Sequence, residues 1–276
     1  MSAHLFERLA VVGLGLIGGS VALGARERGI AREVRGVDPG LQEAAGIPLV
    51  SLAEAAAWAD GLVLAVPLEA IDPVLATLGP LVGQGTLLTD TASVKVPMAE
   101  SARRLLLHPE CCVGAHPMAG GDMSGFDHAH PDLFEGAACI ITPEGHEPPP
   151  TVDRIEQFWQ GFGTFTVRRT PAEHDAVCAV LSHAPHAIAF AFARGLPEEG
   201  GPELAGQGLR DFIRIARANP ALWSQILLMN RHRVAEEISL FEKHLGGIQE
   251  ALARADAPAL ERALAEGQRR TRGFDR

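Results

Sequence analysis

The sequence contains no tyrosine and only four cysteines among its 276 residues, and each shortage excludes a kind of chemistry. Without tyrosine, no phenol can serve as an acid or base. Cys111 and Cys112 are adjacent, Cys139 and Cys178 stand alone, and no Cys-x-x-Cys pair occurs. A disulfide framework and a zinc site are therefore not expected, and the reducing cytoplasm is the predicted compartment.

Long apolar runs are also scarce, and only two uncharged stretches approach the length of a membrane segment. Residues 9–25 follow Arg8 as a signal peptide would, but they include five glycines, which weaken a helix. Residues 176–193 carry His183, Pro185 and His186 in their middle, which favours burial in protein over burial in lipid. We predict no membrane partner.

Positive charge is in short supply. Lys+Arg number 24 against 34 Asp+Glu, for a formal net charge of -10. A nucleic-acid-binding surface draws its affinity from cations that neutralise phosphates, so we predict no nucleic-acid partner. A small anionic substrate remains possible, because it needs only a local cluster of arginines. Hydrophobic residues make up 47% of the chain, which is ample for a packed core and excludes a disordered chain.

What is present divides into two parts. Up to residue 169, short apolar runs alternate with helix-like segments, which predicts a parallel sheet covered by helices on both faces. The predicted strands are 9–12, 33–38, 61–66, 86–90, 111–115, 137–142 and 164–168, and the predicted helices are 17–28, 52–59, 70–78, 96–107 and 152–162.

After residue 169 no strand-like run appears, and helix start signals take over. Thr170-Pro171 and Asn219-Pro220 each place a capping side chain before a proline at the first helical position. They predict one helix over 172–195 and another over 220–244, and Asp256 caps a last one. These helices are more apolar than a domain of ~100 residues needs for its own core, so we predict a homodimer built on them.

A glycine pattern follows the first predicted strand and opens a helix. Gly13, Gly15 and Gly18 form G-x-G-x-x-G, the pattern of a dinucleotide-binding loop in this context. Gly13 allows the tight turn, Gly15 lets a pyrophosphate approach the backbone, and Gly18 lets helix and strand pack closely. Backbone N–H groups at the helix start, where Leu16 and Ile17 stand, are then available to the phosphates. The alternative is a glycine-rich turn with a purely structural role.

A carboxylate ends the second predicted strand. Asp38 lies 20 residues beyond Gly18 (38 − 18), the spacing of an acid that accepts hydrogen bonds from the adenosine ribose. It would repel a 2′-phosphate, so the predicted cofactor is NAD, with NADP less favoured; Arg35 precedes it inside the strand and is discounted. Val66 and Pro67 end the third strand, where open α/β sheets bind ligands, although an ordinary strand end fits them equally well.

The predicted fold class is therefore α/β, with an N-terminal Rossmann-type parallel sheet in residues 1–169 and an all-helical C-terminal domain in residues 170–276. Reactive side chains concentrate in residues 89–95, 115–122 and 174–186. Among them, His116 ends a strand beside the predicted cofactor cleft, well placed to take a proton from an alcohol while hydride leaves. Taken alone, it fits a buried structural histidine equally well.

Six segments carry a resemblance. They are GLGLIGGS at 13–20, TDTASVK at 89–95, HPMAGGDMSG at 116–125, EHD at 173–175, SHAPHAIAFA at 182–191 and GLRDFIRIARANPALW at 208–223. Together they resemble the prephenate/arogenate (cyclohexadienyl) dehydrogenase family, over nearly the whole chain and in order. The resemblance implies oxidative decarboxylation of prephenate, arogenate or both, a small dianionic substrate, with hydride transfer to NAD in tyrosine biosynthesis.

The resemblance also implies roles for individual residues. His116 accepts the proton of the ring C4 hydroxyl, and Ser93 hydrogen-bonds that hydroxyl near the nicotinamide. Arg214 binds a substrate carboxylate. His186 is a further substrate-side histidine, and Trp223 is a pocket aromatic.

Two positions depart from the family pattern at the expected rim of the pocket. Asp122 stands where the family often has glutamate, and Gln207 stands where it often has glycine. Asp122 is a candidate for selecting between the keto and amino side chains of the two substrates. Arg210, one helical turn before Arg214, is a second candidate for the substrate or a solvated surface charge.

Other polar residues are assigned to structure. Asp175 is implied as a partner within the helical half. Lys95 is a further candidate cation for the substrate, but a lysine at a helix start is commonly exposed, and exposure is what we expect of it. His183 is assigned to helix packing or to a hydrogen bond across the dimer. His128 and His130 have the spacing of metal ligands, but no second cluster accompanies them, so no metal is predicted.

Two other classes of protein are kept as alternatives. A different two-domain NAD(P)-dependent hydroxyacid or imine dehydrogenase would share the architecture, but it normally has a catalytic lysine on a second-domain helix. No lysine occurs between Lys95 and Lys243. A non-enzymatic NAD-sensing module would need no base in the cleft and would gain from a basic or partner-binding segment, which the sequence lacks.

Overall fold

The computed structural model describes residues 4–120, 123–197 and 201–274. The strands are β1 (Phe6–Val12), β2 (Ala31–Val37), β3 (Gly61–Leu64), β4 (Leu87–Asp90), β5 (Gly114–Pro117), β6 (Ala138–Thr142) and β7 (Phe165–Arg168). The helices are α1 (Leu16–Glu27), α2 (Leu52–Trp58), α3 (Ile71–Leu78), α4 (Val96–Leu105), α5 (Pro149–Gln160), α6 (Pro171–Cys178), α7 (Ala184–Ala193), α8 (Gln207–Arg214), α9 (Pro220–Met229), α10 (Arg231–Ala253) and α11 (Ala257–Thr271). Over the described residues, strands and helices alternate as far as β7 except between β5 and β6, and only helices follow β7.

The first four strands form a parallel sheet in the order β2-β1-β3-β4. Val12 at the end of β1 lies opposite Val37 of β2 and Leu64 of β3. A parallel bridge between Leu88 and Cys112 brings the chain into β5 beside β4. The carboxyl ends of β1 to β5 therefore meet at one edge, where open α/β sheets bind their ligands. The predicted Rossmann-type sheet is confirmed.

The last three strands form a second sheet in the order β5-β6-β7. The alternation predicted parallel strands here too, but this sheet is mixed. β6 runs antiparallel to β5, with Ile140 opposite His116, and β7 is parallel to β6. A parallel pair needs a crossover, usually a helix, to return the chain to the same end of the sheet. The described part of the β5–β6 connection contains only the short 3₁₀ turn Phe126–His128, so the chain comes back in the opposite direction.

Alternate residues of β1 face two separate hydrophobic cores. Leu9 and Val11 face the first core, and Ala10 and Val12 face the second. The first core contains buried residues of α1 and α5, including an aromatic cluster of Phe6, Phe134, Phe158, Trp159 and Phe162 with ring centroids 5.1–5.7 Å apart. The second contains residues of α2, α3 and α4. Both faces of the sheet are thus covered, as predicted.

The helix predicted over 172–195 is interrupted. Thr170 and Glu173 form a capping box at its start, as the Thr-Pro signal indicates. After α6, however, residues Ala179–His183 form a π-helical turn before α7 begins. Pro185 has no N–H and cannot extend the i→i−4 hydrogen bonds of an α-helix, which gives a local reason for the irregular turn. Such turns are frequent at functional sites, and this one adjoins the cleft described below.

The helix predicted over 220–244 also breaks, at Asn230. The side chain of Asn219 caps α9 as predicted, but α9 ends at Met229 and α10 begins at Arg231. Asn230 is buried, and its Nδ2 donates to the backbone oxygen of Asp175 at 2.7 Å. This tertiary bond holds the break. Asp256 caps α11 by accepting a hydrogen bond from an N–H in its first turn, as expected.

The run Pro171–Ala193 is long and apolar enough to cross a membrane, judged by length and composition alone. Helices packed inside proteins satisfy the same criterion. Here His183 is 1% exposed, and its Nδ1 lies 3.1 Å from Nδ2 of Asn230. A buried, hydrogen-bonded histidine in the middle of the run is typical of a helix that packs against protein.

Candidate active site

The glycine loop lies between β1 and α1, at the carboxyl edge of the sheet. Gly13 has φ +88°, and a Cβ there would stand 2.4 Å from the backbone oxygen of Ala65. A Cβ on Gly18 would stand 1.8 Å from the backbone oxygen of Gly13. A Cβ on Gly15 would meet nothing within 4 Å. Gly13 and Gly18 are therefore required by the fold, whereas Gly15 borders open space that a ligand can fill.

The start of α1 is open in the same way. Its N-cap residue is Gly15, which has no side chain. No side chain at the N-cap therefore accepts from the N–H groups of the first turn, which include those of Leu16 and Ile17. An uncapped helix N-terminus beside open space fits a pyrophosphate, which accepts such N–H groups and is favoured by the helix dipole.

The residues predicted to contact the nucleotide lie around this loop. Asp38 follows β2, and its carboxylate accepts hydrogen bonds from the backbone N–H of Leu14 and of Gly40, both at 2.8 Å. Val66 packs against the loop, and the exposed Pro67 precedes the next helical turn. The guanidinium of Arg35 lies 4.0 Å from the ring centroid of Trp58. Arg35 thus packs on Trp58 of α2.

We call β1 to β7 with α1 to α5 the sheet half, and α6 to α11 the helical half. Between them lies a cleft of about 610 Å³, a volume typical of small-molecule sites. From the sheet half it is lined by Ser93, which follows β4, and by His116 in β5. From the helical half it is lined by His186 of α7, Arg214 at the end of α8 and Trp223 of α9. The fold thus brings these five predicted residues to one cleft.

One other predicted residue is not brought there. Arg210 is exposed and does not line the cleft; its Nε donates to the backbone oxygen of Ala205 at 3.2 Å. Asp122 lies outside the described residues. Gln207, the other departure from the family pattern, donates from its side chain to the carboxylate of Asp211 at 2.8 Å.

His116 is joined to the helical half by a chain of hydrogen bonds. Its Nδ1 lies 2.8 Å from Nε2 of His174, and Nδ1 of His174 lies 2.8 Å from Oδ1 of Asp175. Asp175 also accepts the backbone N–H of Lys95 at 2.7 Å and of Val96 at 2.9 Å, where α4 begins. The prediction that Asp175 has its partners within the helical half was wrong. Its carboxylate caps α4, a helix of the sheet half.

The expectation that Lys95 is exposed was also wrong. Lys95 is 1% exposed, and its ammonium donates to the carboxylate of Asp90 and, at 2.5 Å, to the backbone oxygen of Ala115. A buried charge is tolerated only when it is paired and hydrogen-bonded, as it is here. Because Lys95 lies two residues after Ser93 and holds the residue before His116, this ion pair connects the segments that carry both predicted catalytic side chains.

The histidines in and behind the cleft have lowered pKa values. Burial, the neighbouring His174 and the charge of Lys95 hold the pKa of His116 well below its usual 6.5. Burial also lowers the pKa of His174, against the opposing hydrogen bond to Asp175, and lowers the pKa of His183 to about 4. At neutral pH these rings are therefore uncharged, and His116 is in the form that can accept a proton.

His186 and Trp223 form the opposite wall of the cleft. Their rings stack, with centroids 3.5 Å apart and planes 15° apart. Nδ1 of His186 donates to the backbone oxygen of Ser182 at 2.7 Å, which leaves Nε2 free of that bond. Burial lowers the pKa of His186, and the positive charge of Arg214 acts in the same direction. The wall therefore offers a flat aromatic surface beside a guanidinium, which suits a ring that carries a carboxylate.

Within the described residues, two groups bring three potential metal ligands within 4.8 Å of one another, namely His116–His174–Cys178 and Glu144–His146–Glu147. In the first, hydrogen bonds account for the proximity, and burial raises the pKa of Cys178 to about 12, whereas a metal needs the thiolate. In the second, Glu147 accepts two backbone N–H groups instead. Neither group includes His128 or His130.

The sequence did not reveal His174 or Cys178 as neighbours of His116. His174 lies 58 residues away in the chain and belongs to the other half. The one signal that points to it is local: His174 and Cys178 lie three and seven residues after Pro171, the spacing of one face of a helix, and all three are buried. His183, assigned to packing, does pack, and it also lines the cleft.

A phosphate-binding loop and a neutral histidine at one edge of a Rossmann sheet, with a guanidinium opposite, define a dinucleotide-dependent oxidoreductase. Comparison with known families identifies which one. The family described as "Prephenate dehydrogenase, nucleotide-binding domain" matches residues 21–167, and "Prephenate dehydrogenase, dimerization domain" matches residues 170–266. The chain belongs to the prephenate dehydrogenase family, which confirms the resemblance found in the sequence.

Individual relatives agree. The prephenate dehydrogenase of Lactococcus lactis subsp. cremoris is 31% identical over 278 residues, covering 95% of this chain and 76% of the relative. The cyclohexadienyl dehydrogenase of Zymomonas mobilis is 27% identical, covering 96% and 95%. The crystal structure of prephenate dehydrogenase from Aquifex aeolicus with hydroxyphenyl propionate and NAD+ superposes with a TM-score of 0.88 at 28% identity, covering 100% and 99%. The prediction that the chain is an NAD-dependent oxidoreductase is thereby confirmed.

The two glycines of the loop should respond differently to the same substitution. Gly18→Ala forces a Cβ into the backbone of Gly13, so we expect Tm to fall, as overpacking costs about 1–3 kcal/mol. Gly15→Ala fills only open space, so we expect Tm to hold while NAD binds about tenfold more weakly, roughly the loss of one charge-assisted hydrogen bond. Thermal unfolding and calorimetric titration with NAD separate the two effects. A Gly15→Ala protein with parental affinity would contradict this account of the loop.

The buried histidines should make stability depend on pH. Their pKa values are lowered in the folded chain, so the unfolded chain binds more protons as pH falls from 6.5 towards 4, and the free energy of unfolding decreases. Each contributes at most about 1.4 kcal/mol per pH unit. We expect Tm to fall between pH 6.5 and 5, above the range where most carboxylates titrate.

The matched variant for this measurement is His183→Asn, whose side-chain oxygen can still accept from Asn230. Its Tm should depend less steeply on pH than that of the parent over the same interval. Equal slopes would mean that His183 does not remain neutral in the folded protein.

Proposed function

We propose that the chain converts prephenate, arogenate or both by oxidative decarboxylation with NAD, giving 4-hydroxyphenylpyruvate or tyrosine. The observation that carries the proposal is the composition of the cleft, where an uncharged His116 and the guanidinium of Arg214 come from opposite halves. The first is the group needed to accept a hydroxyl proton, and the second is the group needed to hold a carboxylate.

His116 is the proposed base, and Ser93 its partner on the substrate. With Nδ1 of His116 engaged by His174, Nε2 is the nitrogen left to receive the proton of the C4 hydroxyl. The Ser93 hydroxyl, which lines the same cleft, hydrogen-bonds that oxygen and orients it. NAD, when bound, accepts the hydride that leaves C4.

The rest of the reaction follows from the substrate. The bond from C1 to its carboxylate breaks, carbon dioxide leaves, and the electron pair of that bond enters the ring, which becomes aromatic. Because aromatisation makes this step strongly downhill, the protein mainly positions the ring. Arg214 holds a carboxylate of the dianionic substrate, and the stacked pair of His186 and Trp223 supports the ring.

The two halves have separate duties in this proposal. Residues 1–169 bind the dinucleotide and supply His116 and Ser93, and residues 170–276 supply the other substrate contacts and a dimer interface. Support for a homodimer comes from the dimerization-domain match and from large apolar side chains exposed on the helices, among them Phe192, Phe212, Leu228, Leu240 and Leu264. All four cysteines are buried and free, in keeping with the cytoplasm as the proposed compartment.

Initial rates with prephenate and arogenate, each with NAD and with NADP, test the reaction and the base together. We expect reduced nicotinamide to form with NAD and at least one of the two substrates. His116→Asn should lower kcat by about 10²–10⁴-fold, the usual contribution of a positioned base, with little change in NAD affinity. Turnover close to that of the parent in His116→Asn would refute the base assignment.

The carboxylate contact is tested by a pair of arginines on one helix. Arg214→Ala should raise the substrate KM by roughly 10–100-fold, because hydrogen bonds to a charged group contribute about 1.5–3 kcal/mol. Arg210→Ala removes the same charge from the same helix outside the cleft, so its KM should change much less. Equal effects of the two substitutions would indicate a general effect of charge and would remove Arg214 from its proposed role.

A further inference from the structure

Three side chains connect the proposed base to the interior of the helical half. His116 contacts His174, and His174 contacts Asp175, with donor–acceptor distances of 2.8 Å at both steps. His174 is 0% exposed and Asp175 is 4% exposed, so water does not compete for these bonds. Neither residue lines the cleft, and the mechanism above gives neither a role.

The positions of the hydrogens follow from what each atom can do. Both oxygens of Asp175 accept backbone N–H groups, those of Lys95 and Val96, as an acceptor-only carboxylate does. Nδ1 of His174 must therefore carry the hydrogen in its bond to Asp175. Because burial keeps the His174 ring neutral, its Nε2 has no hydrogen and can only accept.

Two donors then converge on Nε2 of His174. One is Sγ of Cys178 at 3.4 Å, which keeps its hydrogen because burial raises the pKa of this thiol to about 12. The other is Nδ1 of His116, which must carry a hydrogen to bond to an acceptor. In a neutral His116 ring, Nε2 is consequently the bare nitrogen, and it is the nitrogen that the proposed reaction needs.

We propose that His174 and Asp175 are positioning residues that fix His116 in the tautomer with a hydrogen on Nδ1 and a bare Nε2 available to the substrate. This inference rests on the proposed role of His116 as the base. Asp175 sets the hydrogen on His174, and His174 in turn sets the hydrogen on His116.

Within the part of the chain that the structure describes, the surroundings of His116 supply no substitute for His174. The neighbouring ammonium of Lys95 donates to Asp90 and to the backbone oxygen of Ala115. Nδ1 of His183 is hydrogen-bonded to Asn230. Among the described residues, Nε2 of His174 is the one hydrogen-bond partner found for the His116 ring. Without it, no contact among the described residues would favour a hydrogen on Nδ1 over a hydrogen on Nε2.

The proposed arrangement also serves the charged ring that forms during turnover. When Nε2 of His116 accepts the substrate's proton, Nδ1 keeps its hydrogen and continues to donate to His174. The imidazolium therefore retains its partner, and no proton needs to pass along the chain. Since His174 and Asp175 belong to α6, the base is oriented only when α6 is docked against the sheet half.

The experiment compares His174→Met, which removes the acceptor, with His174→Gln, whose side-chain oxygen can still accept from Nδ1 of His116. The readouts are the tautomer of His116 by ¹⁵N NMR on histidine-labelled full-length protein with NAD bound, together with kcat and the KM for NAD. In the parent we expect the hydrogen on Nδ1. In His174→Met we expect both tautomers and a kcat lower by about 10–100-fold, less than the ~10⁴-fold that a wrong tautomer costs a serine protease.

His174→Gln should restore most of the parental tautomer and at least part of kcat, with the KM for NAD unchanged in both variants. Phe134→Leu is the control for loss of stability, because Phe134 is fully buried in the aromatic cluster of the sheet half and does not line the cleft. It should lower Tm without moving the His116 tautomer or kcat. A purely structural role for His174 predicts the same pattern for His174→Met as for Phe134→Leu.

The outcomes separate this inference from the proposed function. A parent in which His116 carries its hydrogen on Nε2 overturns the inference without any variant, so it stays testable even if His174→Met fails to fold. If His116→Asn loses activity while His174→Met keeps the parental tautomer and kcat, the positioning role fails and the base assignment stands. If His116→Asn keeps parental turnover, the base assignment itself fails.

Discussion

The carboxylate of Asp175 is the contact on which the geometry of the site depends. It lies on the first helix of the helical half, yet it accepts two backbone N–H groups at the start of α4 in the sheet half and a third hydrogen bond from His174. A buried carboxylate that lost such donors would cost several kcal/mol, so the two halves are strongly held in the one arrangement that satisfies it. That same arrangement sets the walls of the cleft opposite each other.

Charge is distributed around the cleft in a way that suits its chemistry. The Lys95 ammonium and the surrounding burial disfavour a proton on His116, while the ion pair with Asp90 keeps that ammonium from being an isolated buried charge. The guanidinium of Arg214 remains on the cleft surface, where a carboxylate can reach it. A chain of net charge -10 can thus present a locally positive pocket to an anion, because the field within a few ångströms is set by particular side chains.

The parts of this protein that could be predicted from sequence are those that residues close together in the chain determine. The glycine loop, the spacing to Asp38 and the caps at Thr170 and Asn219 need only neighbouring residues, and the structure contains each of them. The antiparallel β6, the π-helical turn and the break at Asn230 were not predicted, because each depends on a connection or a tertiary contact. The burial of Lys95 and the bond between His116 and His174 fall in the same class, since nothing local marks partners so far apart.

Family membership and geometry together explain why the site has to be composite. In the proposed reaction, the nucleotide loop and the base must share one rigid sheet edge, because the hydride leaves C4 of the substrate and the proton leaves the oxygen bonded to C4. The cation and the aromatic wall come from helices that can differ without disturbing that edge. If, as we propose, the base takes its orientation from α6 of the helical half, neither half by itself holds a competent site. On that proposal, docking of the helices on the sheet is a chemical requirement as well as a structural one.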